Sequence, residues 1–165
     1  VSGPVEIGLR TASWDADRAG IEAVRYRVFV LEQGVPEHEE WDDADPVSRH
    51  VLAVTPKRDA VGTARLEPAG KIGRVAVLPQ YRGTGIGGAM VSHLVDLART
   101  LGLTQVHLNS QSSAIGFYAR LGFRAEGPEF VEVGIPHRRM VLQIGHRDEE
   151  QAERHRDTEH SHDRR

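Results

Sequence analysis

Four glycines crowd the segment Arg82-Gly83-Thr84-Gly85-Ile86-Gly87-Gly88, which follows the apolar run Val75-Ala76-Val77-Leu78 and leads into a helix-patterned stretch. Such a loop aims amides without side chains at a helix N-terminus, where unpaired N–H groups and the helix dipole both favour phosphate oxygens. Arg82 adds a cation whose donors suit phosphate, and residues 68–95 hold Lys71, Arg74 and Arg82 but no acid. A mononucleotide phosphate loop needs Lys and then Ser or Thr after its last glycine, and Ala89 and Met90 stand there instead. The letters of a dinucleotide fingerprint are present as Gly83, Gly85 and Gly88. However, Pro79 to Arg82 separate them from the strand end, and the next strand candidate, QVHLNSQ, offers no carboxylate for a ribose.

A second concentration of chemistry lies earlier. Residues 31–46 contain Glu32, Glu37, Glu39, Glu40, Asp42, Asp43 and Asp45 with no Lys or Arg, so the segment is either a solvated loop or a surface that draws a cationic substrate inwards. Trp41 within it either packs over an amine or anchors the loop in the core. The chain has no cysteine, which excludes a disulfide framework, thiolate metal sites and a cysteine nucleophile. His146, His155, His160 and His162 are scattered through a charged C-terminal stretch and read as solvated, so no metal site is expected.

The elements that must position these groups follow from periodicity. VEIGLRTA reads as a strand, and Ser13 caps a helix with Ile21, Val24, Val28 and Leu31 on one face, ended by Gly34 and Pro36. HVLAVT, AVGTARLE and IGRVAVLP form an antiparallel meander with turns at Pro56–Asp59 and Pro68–Gly70. After the glycine loop comes a helix with Ile86, Met90, Leu94, Leu97, Ala98 and Leu101 on its buried face and Gly102 at its end. QVHLNSQ is a strand, SSAIGFYARLG a short helix, and FVEVG and HRRMVLQI are closing strands. The order β-α-β-β-β-α-β-α-β-β predicts an α/β (α+β) domain with a mixed, mostly antiparallel central sheet and helices on both faces.

With 165 residues, 39% apolar and 27% charged, one globular domain over residues 1–144 is expected. Residues 145–165 carry five basic and seven acidic residues and almost nothing apolar, a tail expected to be disordered. The net charge of -3 offers no general attraction to nucleic acid. No apolar run is long enough for a membrane helix, and the N-terminal residues lack a leader pattern, so a cytoplasmic protein without membrane contact is expected.

Arg82-Gly83-Thr84-Gly85-Ile86-Gly87, behind a strand ending Val77-Leu78-Pro79, resembles the acyl-CoA motif R/Q-x-x-G-x-G/A of the GCN5-related N-acetyltransferases. Phe117-Tyr118-Ala119-Arg120-Leu121-Gly122-Phe123 is similar to a helix of that family, with Gln111 where the family often has Asn. VFVLEQGVPEHEEWDDAD with His50, and Gly134-Ile135-Pro136-His137 with Met140, resemble its ElaA-like branch. The resemblance implies an acyl-CoA N-acyltransferase fold and direct acetyl transfer from acetyl-CoA, without a metal, to a primary amine of a small molecule or peptide, by a monomer or homodimer. It implies that Val75, Ala76 and Val77 offer backbone groups to pantetheine, that amides of residues 82–88 take the pyrophosphate, that Gln111 borders the coenzyme, and that Tyr118 serves the departing sulfur. A lysine-like amine costs about 4.6 kcal/mol to deprotonate at pH 7, so a base is needed. The candidates are Glu32 and His107, the latter sharing a strand face with Asn109 and Gln111. Trp41, Asp42, Asp43, Asp45 and His137 are candidate acceptor contacts. The alternatives are an acyl-CoA sensor without turnover, which Tyr118 argues against, and a dinucleotide-dependent oxidoreductase, which the Pro79–Arg82 interval argues against.

Overall fold

A computed structural model describes residues 6–145; the tail from residue 146 on, with its four histidines, lies outside the described residues. The chain runs β1 (Gly8–Ala12), α1 (Trp14–Arg25), a π-helical extension (Tyr26–Glu32), α2 (Glu37–Glu40), β2 (Arg49–Val54), β3 (Ala60–Leu66), β4 (Ile72–Val77), a 3-10 turn (Pro79–Tyr81), α3 (Ile86–Thr100), β5 (Gln105–Gln111), a second 3-10 turn (Ser112–Ala114), α4 (Ile115–Arg120), β6 (Arg124–Glu132) and β7 (Ile135–Gln143). This is the expected order, with the short α2 added inside the acidic segment.

Every strand pairs antiparallel with its neighbours, but the strands divide between two sheets, β1-β2-β3-β4 and β5-β7-β6. A single parallel bridge between Lys71 and His107 joins them. Strand alternation sends Val51 and Ala53 of β2 into the main core with Met90 and Leu94 of α3, while Leu52 faces Trp14 and Ile21 of α1 on the opposite side. Helices therefore cover both faces of the mixed α/β layer. Ser13 caps α1 by accepting from the Ala16 amide at 3.2 Å.

Three local expectations need correction. Ile21, Val24 and Val28 are buried, but Leu31 is 58% exposed. From Tyr26 the helix adopts i→i+5 bonding, as in Gln33 N–H to the Val28 carbonyl, and the wider turn no longer returns Leu31 to the face of Val28. Leu101 lies past the end of α3 and is also exposed. β6 begins at Arg124, earlier than the apolar run suggested, because Gly127 and Pro128 sit in a strand that pairs only with β7 and shifts register between Glu126 and Phe130. A proline is tolerated at such an edge.

Candidate active site

β4 and β5 touch at one end and part at the other. At the junction the His107 amide donates to the Gly70 carbonyl at 3.0 Å. Gly70 has φ +97°, and a Cβ there would lie 2.8 Å from the Gln105 carbonyl oxygen, so only glycine lets the two sheets meet so closely. Beyond the junction β4 carries an irregularity: Arg74 takes φ 50°, and the β3–β4 register slips between Thr63 and Arg65. An extra residue of this kind bends a strand and re-aims its side chains. The result is a cleft of about 450 Å³ lined by Val75 and Arg74 of β4, Asn109 and Gln111 of β5, Tyr118 of α4 and His137 of β7.

The glycine loop lies at the far end of β4. Gly83 and Gly85 have φ +76° and +85° with open space where a Cβ would be, and Gly85 is the N-cap of α3. The first bond of that helix runs from Ala89 to the Gly85 carbonyl, leaving the amides of Ile86, Gly87 and Gly88 beyond the reach of its own carbonyls. A Cβ on Gly87 or Gly88 would lie at ordinary contact distance, 3.5 and 3.6 Å, from Phe117 and Leu121 of α4. Thr84 donates its hydroxyl to the Tyr81 carbonyl and so pins the loop. Of the β4 trio, Ala76 is buried beneath the first helix with Val24 and Val28, Val77 lies partly buried against the main core, and Val75 lines the cleft.

Arg82 and Glu32, expected to serve phosphate and proton transfer separately, hold each other. Arg82 donates to both Glu32 carboxylate oxygens at 2.6 and 3.0 Å and to the Val77 carbonyl at 3.0 Å. The Arg82 guanidinium holds the Glu32 carboxyl below its usual range, and Glu32 does not line the cleft, an arrangement suited to a fixed ion pair rather than to a base. His107 stands at the sheet junction, outside the residues that line the cleft. Burial lowers its pKa, helped by Arg139 and Lys71.

The acidic segment is also corrected by the structure. Asp45 accepts from Arg25 at 2.6 Å and Arg65 at 2.8 Å, and Asp42 accepts from Arg65 at 2.7 and 2.8 Å and from Arg74 at 3.3 Å. Glu40 accepts from Arg25 at 2.9 Å and lies 3.1 Å from Arg74. Arg25, Arg65, Glu40 and Asp45 are buried. Burial pushes the Asp45 carboxyl up, but Arg25 and Arg65 outweigh it and hold it below the ordinary range; Asp42 is held down likewise by Arg65 and Arg74 against the same burial. For Glu40 burial wins and raises the pKa. Asp42 and Asp45 are thus paired with arginines of α1, β3 and β4 rather than left as free charges. Asp43 stays exposed. Trp41 does stack under a cation, but it is the guanidinium of Arg25, 5.1 Å from the ring centroid.

The structure brings Tyr118, Gln111, Val75 and His137 into one cleft. Tyr118 is buried edge-on between Phe117 and Phe123, and burial pushes its pKa up to about 12. The Gln111 side chain donates to Gln33 at 3.1 Å, tying β5 to the end of the π-helical turn. Gln33 and Glu132, neither expected from sequence, also line the cleft. The only trace of Glu132 in the sequence is its place before Val133-Gly134, the tight turn between β6 and β7.

A family model described as an acetyltransferase (GNAT) domain matches residues 15–144. The uncharacterised protein YyaT of Bacillus subtilis is 35% identical over 144 residues, spanning 84% of this chain and 97% of that protein. An acyl-CoA N-acyltransferase from Pseudomonas aeruginosa superposes with a TM-score of 0.74 at 27% identity, over 82% of this chain and 99% of that one. Escherichia coli ElaA shares the fold with a TM-score of 0.75 at 24% identity, over 84% of this chain and all of its own length.

Proposed function

Because the chain belongs to the acetyltransferase (GNAT) family and is an acyl-CoA-dependent N-acyltransferase, we propose that it moves an acetyl group from acetyl-CoA directly to a primary amine of a small molecule or peptide. The observation that carries this reading is the parting of β4 and β5 after a single bridge, which opens a cleft with backbone on one wall and Tyr118 on the other. Unpaired β4 groups near Val75 suit the amides of a pantetheine arm. The open amides from Gly83 to Gly88 suit a pyrophosphate, with negative charge favoured at the start of α3. With Arg82 committed to Glu32, those amides and not the guanidinium supply most of the anion binding.

Attack by the amine nitrogen forms the C–N bond and breaks the C–S bond, and the Tyr118 hydroxyl donates a hydrogen bond to the sulfur as negative charge builds on it. No cysteine is needed, because no acyl-enzyme forms. The test is thiol release from acetyl-CoA with a panel of amines, alongside thermal-shift scans with CoA, NADH and ATP. Amine-dependent thiol release and stabilisation by CoA are expected. A larger shift with NADH, or no shift with CoA, would overturn the reading.

A further inference from the structure

Glu32 is held by Arg82, His107 lies outside the cleft, and of the carboxylates that line it Glu40 is paired with Arg25 and Arg74. His137 is buried, lines the cleft and is aligned opposite Gln111 in the β5–β7 ladder. Its Nδ1 lies 2.7 Å from the Ile135 carbonyl oxygen. A carbonyl can only accept, so Nδ1 carries the hydrogen and Nε2 is left with its lone pair. The ring is stacked on Phe130 with centroids 6.0 Å apart and planes 21° from parallel, which fixes its direction. Glu132 Oε2 stands 3.7 Å from Nε2, too far to bond the neutral ring but near enough to stabilise the imidazolium.

We infer that His137 Nε2 is the proton acceptor for the amine in the reaction proposed above, with Glu132 as the group that supports its charged form. The inference rests on that reading. An ammonium substrate gives one proton to Nε2 to become the free amine, and the proton passes on to solvent. The amine nitrogen then attacks the thioester carbon, the C–N bond forms as the C–S bond breaks, and the nitrogen's second proton goes to Nε2. Nε2 then returns this proton through solvent to the departed thiolate, so thiol and solvent finish with one proton each and the imidazole is neutral again. The charged groups facing this imidazole are Glu132 of β6, Arg139 two residues along its own strand and drawn towards Glu126 at 3.8 Å, and Lys71, Arg74, Glu39 and Glu40 across the cleft. β5 contributes the uncharged Gln111.

The experiment compares wild type, His137→Gln and Glu132→Gln in pH profiles of thiol release at saturating acetyl-CoA, with the CoA thermal shift as a check on folding. His137→Gln should lower kcat by a hundred- to ten-thousandfold near neutral pH, keep the CoA shift, and recover as rising pH deprotonates the amine in solution. Glu132→Gln, a change at a partly exposed side chain, should lower kcat by about three- to tenfold and keep the CoA shift, because the charge developing on Nε2 loses the carboxylate 3.7 Å away. A His137→Gln enzyme within threefold of wild type, a loss equal at every pH, or a Glu132→Gln enzyme with wild-type kcat would each overturn the inference. A wild-type protein that releases no thiol with any amine would instead overturn the function itself.

Discussion

Replacing Tyr118 with phenylalanine removes one oxygen from a ring packed against Phe117 and Phe123 and leaves that packing in place. With the phenol pushed up to about 12 by burial and a thiol near 8.5, complete proton transfer from Tyr118 to a departing thiolate would be uphill by roughly 5 kcal/mol. In the proposed reaction the hydroxyl would therefore serve as a hydrogen-bond donor to developing charge, and a bond of that type contributes about 1.5–3 kcal/mol. A loss of that size in the transition state alone means a fall in kcat of about ten- to a hundredfold, with little change in acetyl-CoA affinity. Thiol release at saturating acetyl-CoA measures the first quantity and the CoA thermal shift the second. The raised pKa further implies that no alkaline loss of activity from Tyr118 appears below about pH 11. An unchanged kcat in Tyr118→Phe, or a fall matched by an equal loss of acetyl-CoA affinity, would refute the donor role.

Asp45→Asn should destabilise the fold by about 3–5 kcal/mol, since it leaves the buried Arg25 and Arg65 short of charge; a melting temperature within 2 °C of wild type would show that the ion-pair network contributes little. Stability should also fall on acidification in two stages. Burial depresses the His50 pKa despite its bond to the Asp45 carbonyl, so the unfolded chain takes up a proton near pH 6.5 that the folded chain resists, and stability rises with pH across that window. Asp42 and Asp45, held low in the fold, add stability above about pH 4 that is lost as pH drops through their folded values; thermal melts between pH 3 and 8, with His50→Gln flattening the upper stage, test both. Val133→Asn should stabilise the protein by about 1 kcal/mol, because Val133 takes φ 51° in the β6–β7 turn, a conformation that costs a β-branched residue most; an unchanged or lower melting temperature would show that the turn relaxes around valine.

The sequence discloses what is local. Glycines at a strand-to-helix step, a serine before a helix and alternation along β2 each depend on neighbours a few residues away, and the order of elements and the glycine-capped start of α3 follow from them. What stays hidden depends on partners far along the chain. The acidic run looks unpaired because its arginines stand in α1, β3 and β4, and only the sheet brings Arg25, Arg65 and Arg74 round Asp42 and Asp45. Arg82 and Glu32, 50 positions apart, cancel each other for the same reason. Gly70 reads as a turn glycine, yet its missing Cβ is what lets β5 approach β4 and start the cleft.

The same arginines bear on the shape of the cleft. Arg74 occupies the irregular, positive-φ position of β4 and is tied to Glu40 and Asp42, so these part-exposed ion pairs brace the backbone distortion beside the cleft wall. Strain of this kind persists only where surrounding contacts over-determine it. On the proposed function, the acidic segment would contribute to the site by holding β4 in shape for an acyl-CoA arm rather than by attracting an acceptor. A partner-removing change such as Asp42→Asn should accordingly raise KM for acetyl-CoA before it affects KM for the amine, and the reverse order would return the segment to acceptor recognition.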